Sequence, residues 1–222
     1  VGVMVATWWA GRTFFSRDVG RLAALIVAVL PATLALSAYA ILDMTFTMFL
    51  FAGVALVASA AVHARPNRQW WGYGAIALAV LTKGPLAIVL AGIAFFITLA
   101  IAPILRPRLL ALRWITGLLL VAAVTSPWFI YMYARFGWAF VEGYFLRENF
   151  WLYAANLYAT TRSYGFYVRV AAIGFLPFTT VILGRMVDIV RGDRVSDEEK
   201  LFWAWSVGIT VFLDRKSTRL NS

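Results

Sequence analysis

The chain has 222 residues, 63% of them hydrophobic and 14% charged, where soluble domains run at roughly 45–50% apolar and about 25% charged. A soluble domain of this size has nowhere to hide so much apolar surface, so lipid must serve as its solvent and a water-soluble fold is excluded. The formal charge of +10 reads as loop arginines that set membrane orientation rather than as a nucleic-acid footprint, and without cysteine there are no disulfides or thiolate metal sites.

Val1 already sits in an apolar stretch, with no signal-peptide pattern after it, so the N-terminus reads as cut. The cations then fall in four groups: Arg12, Arg17 and Arg21; Arg65 and Arg68; Arg106, Arg108 and Arg113; and Arg185, Arg191, Arg194 and Lys200. Between them lie uncharged runs that approach or pass the ~18–20 residues of a membrane span: Leu22 to Leu42, Met44 to Val62, Gly84 to Leu105 and Trp114 to Ala134. Loops rich in Lys and Arg face the cytoplasm. Two successive basic groups on that side require a hairpin between them. The first hairpin turns near Asp43. The second, from Trp70 to Leu105, turns at Lys83-Gly84-Pro85, where Gly-Pro supplies the turn.

A helix from about Trp114 to Tyr133 returns outward, residues 134–164 form the longest outer segment, and a helix from about Gly165 to Gly184 goes back in. Residues 185–200 are a polar inner loop, with Ser196 a helix N-cap and Glu199 at capping-box spacing. A last span starts at Leu201 and its apolar run stops at Leu213. The polar stretch 214–222 reads as a non-native tail. The expected architecture is all-α: one polytopic transmembrane helix bundle over 1–213, with six full and two partial spans and an outer interfacial helical loop.

Asp43 and Lys83 are the sharpest chemical features, since ionisable groups at such depth are functional candidates by default. Their structural alternatives are an N-cap for Asp43, a snorkelling anchor for Lys83, or a plain ion pair between the two. The outer segment carries Arg135, Glu142, Arg147, Glu148, Asn149 and Arg162 among aromatic residues. Tyr144, Arg147, Glu148 and Trp151 share i, i+3, i+4, i+7 spacing, which on a helix makes one polar-aromatic face. Such a face suits a phosphate and a sugar, and equally suits an interfacial aromatic belt. His63 reads as a loop residue, and Arg169 as a cation one turn inside a span. No P-loop, G-x-S-x-G, H-E-x-x-H or Rossmann fingerprint is present.

Leu81-Thr82-Lys83-Gly84-Pro85, Leu42-Asp43, Gly11-Arg12-Thr13-Phe14-Phe15-Ser16-Arg17 and Ser126-Pro127-Trp128 resemble the bacterial aminoarabinose-transferase-like membrane glycosyltransferases, relatives of the protein O-mannosyltransferases. Phe145-Leu146-Arg147-Glu148-Asn149 and Gly174-Phe175-Leu176-Pro177-Phe178 follow in the same order, and the likeness runs from about Trp8 to Phe212. It implies a GT-C fold in the bacterial plasma (inner) membrane. It also implies transfer of a sugar from a polyprenyl-phosphate donor to lipid A, a protein or a glycan on the periplasmic face.

On that resemblance the catalytic Asp precedes Val1, Asp43 is a supporting acid, and Lys83 lies near the donor phosphate. Tyr144, Arg147, Glu148, Asn149 and Arg162 would bind substrate. Asn149 stands where relatives often have His, which leaves a divalent metal open; no organic cofactor is implied. Where many relatives have a further Arg, this chain has Trp151-Leu152-Tyr153, and Arg147 or Arg162 would substitute. A transporter or flippase for a lipid-linked or amphiphilic substrate is the alternative from another class. A non-catalytic scaffold is a third.

Overall fold

The computed structural model describes residues 1–38, 42–144 and 165–218. Its helices are α1 (Gly2–Phe14), α2 (Arg17–Val29), α3 (Pro31–Ala38), α4 (Leu42–Val62), α5 (Arg68–Lys83), α6 (Leu86–Ile101), α7 (Arg106–Leu110), α8 (Trp114–Phe136), α9 (Trp138–Phe140), α10 (Phe166–Gly174), α11 (Thr179–Val190) and α12 (Asp197–Thr218). No strand occurs among the described residues. The molecule is the all-α bundle the composition demands.

The centre is the α4–α5 hairpin. Helix α4 is apolar all round, and 56% of its most apolar window is buried, against 17% for α8. It is therefore the core helix, and α8 is peripheral. Small residues let the two backbones close on each other. A side chain at Gly72 would meet the Gly53 carbonyl at 2.9 Å and the Val57 amide nitrogen at 2.9 Å. Gly53 in turn lies against Ile76 and the Gly72 carbonyl. This is the small-residue packing by which helices associate where lipid removes the hydrophobic drive between them. The α1–α2 contact is made the same way, with Gly11 against Gly20. Helix α8 joins by laying Gly117 on the Tyr73 ring, and α12 by laying Gly208 on Ile97 of α6.

Three runs expected as single helices are bent. The first breaks by 55° between α2 and α3. Pro31 there forces Leu30 out of helical geometry (ψ 130). The second stops at Ile101, and α6 meets the following turn and α7 (Pro103–Leu110) at 110°. The third is cut at Phe175–Phe178, so α11 leaves α10 at 118°. Only α4 and α8, among the described helices, are singly long and apolar enough to cross a membrane; the three bent pairs would make five.

All four basic groups gather at one end of the bundle. The Arg108 guanidinium donates to the Val62 carbonyl at 3.1 Å, and the Arg113 amide donates to Gln69 Oε1 at 2.9 Å, which joins the second and third groups. Phe14 meets the His63 ring at a tilt (5.7 Å) and Phe202 edge-on (5.3 Å), which joins the first, second and fourth. Ser196 caps α12 as expected, accepting from the Glu199 amide at 3.1 Å. The Glu199 carboxylate turns away from the cap. It takes two bonds from Arg185, both 2.8 Å, and one from Trp203. A bidentate guanidinium–carboxylate pair is stronger than the second half of a capping box.

Candidate functional site

The opposite end carries the site. Asp43 lies in the first turn of α4 and Lys83 in the last turn of α5. Because the hairpin is antiparallel, these two turns are neighbours, and Lys83 Nζ bonds Asp43 Oδ1 directly. Each charge also complements its own helix dipole, a carboxylate at an N-terminus and an ammonium at a C-terminus. Both side chains are about one-third exposed (36% and 34%), so the pair is open to a ligand on one side. Lys83 Nζ also sits 5.7 Å from the centre of the Phe46 ring, one turn along α4 from Asp43.

Gly84 ends α5 at φ 74, ψ −157, a conformation that only glycine adopts freely. Its amide still closes on Val80 at 2.7 Å, and Pro85 then leads into α6. The Thr82 hydroxyl donates to the Ala79 carbonyl at 2.6 Å. The Thr-Lys-Gly-Pro sequence therefore fixes the last turn, presents the ammonium, and reverses the chain in four residues.

An aromatic cluster stands at the same end. Helices α5 and α8 run in parallel from the Tyr73–Gly117 contact, so Pro127 lies at about the depth of Lys83, roughly 15 Å along each helix. Just beyond it, Trp128 and Phe129 meet Phe140 (5.7 and 6.4 Å) and Tyr144 (5.6 and 6.0 Å). Tyr144 stacks on Phe140 at 5.3 Å. Of the predicted site residues, Asp43 and Lys83 come together and Tyr144 belongs to this cluster. Arg147, Glu148, Asn149 and Arg162 lie outside the described residues. Arg169 is exposed on α10, one turn from its start. Among the described residues no group of three or more His, Cys, Asp or Glu could hold a metal ion.

Sequence reasoning did not single out Phe46, though its i+3 spacing from Asp43 was visible. Nor did it join Arg12 to His63, Arg65 and Arg68, which come from different hairpins and line one cavity at the basic end.

The comparisons agree with the resemblance seen in the motifs. The family model for dolichyl-phosphate-mannose-protein mannosyltransferase matches residues 1–142, which include both members of the ion pair. A protein of Aquifex aeolicus (strain VF5), itself uncharacterized, is 31% identical over 196 residues, 87% of this chain and 38% of its own length. Undecaprenyl phosphate-alpha-4-amino-4-deoxy-L-arabinose arabinosyl transferase 1 of Sodalis glossinidius (strain morsitans) is 30% identical over 215 residues, 95% of this chain and 37% of that protein. The chain thus spans less than two fifths of the length of either relative. No solved structure matches. With its family match covering the α1–α8 framework and the Asp43–Lys83 hairpin, the chain belongs to the dolichyl-phosphate-mannose-protein mannosyltransferase family of membrane glycosyltransferases.

Proposed function

We propose that this chain is part of a multi-pass enzyme of the bacterial plasma (inner) membrane that moves a sugar from a polyprenyl-phosphate donor to a lipid, protein or glycan acceptor on the periplasmic face. The observation that carries the reading is the Asp43–Lys83 pair, half open, at the end opposite all four basic groups. Cationic loops mark the cytoplasmic side, so the pair would face outward. Depth supports this. Helices α5 and α6 each have 16 residues. That is about 24 Å, some 6 Å short of the ~30 Å hydrocarbon core. Their joint apex would therefore sit recessed below the outer surface, in a pocket a lipid phosphate reaches from the side.

The chemistry follows from charge. An acceptor O–H or N–H attacks the anomeric carbon and the bond from that carbon to the phosphate oxygen breaks. The electron pair stays on the polyprenyl phosphate, and the acceptor proton goes to a carboxylate. The growing phosphate charge needs a fixed cation in a water-poor site, and Lys83 is that cation. Asp43 positions Lys83. Arg147 and Arg162 would add charge at the phosphate, while Tyr144, Glu148 and Asn149 would hold the sugar. Asp43 is engaged by Lys83, so the general base is assigned, on the resemblance, to a carboxylate preceding Val1. Gly2 of α1 packs against Met48, little more than one turn from Asp43, so α1 reaches the same end of the bundle.

The test is donor binding in lipid nanodiscs, with an undecaprenyl-phosphate monosaccharide as ligand. Lys83→Met should weaken binding about tenfold or more, while Lys83→Arg retains most of it. Equal affinity of the Lys83→Met protein and the wild type, with both folded, would refute the assignment.

A further inference from the structure

Several cations at the basic end have a partner of their own. Arg185 is held by Glu199 and Asp193, and Lys200 by Asp197. Arg106 donates to the carbonyls of Leu99 and Ala100, and Arg108 to that of Val62. Three others stand together. Arg12, Arg65 and Arg68 make no ion pair among the described residues, yet they line one cavity of about 380 Å³ together with Thr13 and His63. That volume lies in the range of small-molecule sites.

The cluster is built rather than incidental. Arg12 is on α1, locked beside α2 by the Gly11–Gly20 contact. Its guanidinium lies 5.5 Å from the Trp8 ring, and that of Arg68 lies 5.6 Å from the Trp9 ring. The Arg68 guanidinium also donates to Ser59 Oγ at 3.4 Å, and the His63 ring bonds the backbone of Thr13. Stacking orients the Arg12 and Arg68 guanidinium groups without using their N–H donors, and both residues line the cavity. Helix dipoles explain Arg12 and Arg65, which sit at or just past C-termini. They do not explain Arg68, the first residue of α5, where a cation is disfavoured. Glu198 is the acid whose charge reaches His63, and it bonds none of the three arginines. Three like charges gathered on a cavity repel one another until an anion joins them.

We propose that this cavity is an anion site for a phosphate or phosphodiester group, separate from the donor site at the other end of the bundle. Two sources share that chemistry: the head group of an anionic membrane lipid, and a water-soluble phosphate. Tryptophans beside the arginines are the usual furniture of a lipid–water interface, and basic pockets between spans on the cytoplasmic side take such head groups.

The experiment uses the whole chain in nanodiscs of phosphatidylcholine, with either phosphatidylglycerol in the lipid or inorganic phosphate in the buffer. Native mass spectrometry counts retained phosphatidylglycerol, and thermal melting follows both ligands. Arg65→Gln is the main variant, because among the described residues Arg65 makes no side-chain hydrogen bond that a substitution could break; Arg12→Gln/Arg65→Gln is the stronger one. Arg191→Gln, outside the cavity, is the control. Wild type and control should retain phosphatidylglycerol, with affinity falling about tenfold for Arg65→Gln and further for the double variant. If inorganic phosphate alone raises the wild-type melting temperature and loses that effect in Arg65→Gln, the source is a soluble phosphate. The proposal is overturned if Arg65→Gln, folded in phosphatidylcholine, binds phosphatidylglycerol as the wild type does and phosphate stabilises neither protein.

Discussion

At the scale of single residues, the question is whether Lys83 is placed for Asp43 or for a ligand. The ion pair alone would explain the location of both charges, since each also suits its helix terminus. The two roles separate in a double-mutant cycle. Removing one partner of a one-third-exposed pair leaves the other partly desolvated and unpaired, so Asp43→Asn and Lys83→Met should each cost about 1–2 kcal/mol of stability, between exposed and buried pairs. The double variant should recover part of that loss. If Lys83 serves only the pair, donor binding recovers with stability; if it serves the donor phosphate, the double variant is folded and still fails to bind. Denaturation in mild detergent together with the nanodisc binding assay reads both.

His63 gives a second residue-scale expectation. Burial first, then the Arg68 charge, hold its pKa below the ordinary value, which is about 6.5. The folded chain thus takes up the proton less readily than the unfolded chain. The stability linked to His63 is full above about pH 6.5 and is lost as pH falls below it toward the lower folded value. Melting temperature should drop over that window in the wild type and drop less in His63→Gln. The role of His63 was not legible in the sequence, because its partners Thr13 and Phe14 lie fifty residues away and no periodicity connects them.

At the scale of elements, the hairpin turns were legible and the helix bends were not. Asp43 and Lys83-Gly84-Pro85 mark apices because charge and Gly-Pro interrupt apolar runs, and a span cannot continue through either. The bends arise from local geometry inside runs of unbroken hydropathy. Pro31 and Pro177 were visible, but run length by itself does not say whether a proline kinks a helix or starts a new one. Glycine placement carried information that only packing reveals. Gly72 and Gly74 are two residues apart on α5 and face opposite ways: a side chain at Gly72 would meet the α4 backbone, while one at Gly74 would meet, among the described residues, no other element within 4 Å. Gly72→Ala should therefore push α4 and α5 apart and cost about 1–3 kcal/mol, which would also displace Lys83 from Asp43. Gly74→Ala should stabilise α5 by about 0.5–1 kcal/mol. The two melting temperatures, measured side by side, should move in opposite directions.

At the scale of the whole molecule, the distribution of charge divides labour between the two ends. Of the acidic residues in the described segments, Asp18, Asp188, Asp193, Asp197, Glu198 and Glu199 belong to the basic end, where they balance arginines and lysine. The other end has Asp43, tied to Lys83, and Glu142, exposed just past α9, while Asp214 lies far along α12 from the acids at its start. Asp43 is already committed to holding the Lys83 ammonium. Among the described residues, the end that would bind the donor is thus equipped to stabilise a leaving phosphate and shows no carboxylate placed as a base, in a chain that spans less than two fifths of either relative. Binding and turnover should therefore come apart. The 222-residue chain in nanodiscs should take up the polyprenyl-phosphate sugar in a Lys83-dependent way and yet transfer none of it to an added acceptor within the detection limit of a radiolabel assay. Turnover by this chain would mean that one of its own carboxylates acts as the base after all. In that case Asp43→Asn, Glu142→Gln and Glu148→Gln would identify which, since only the true base should abolish transfer while leaving donor binding in place.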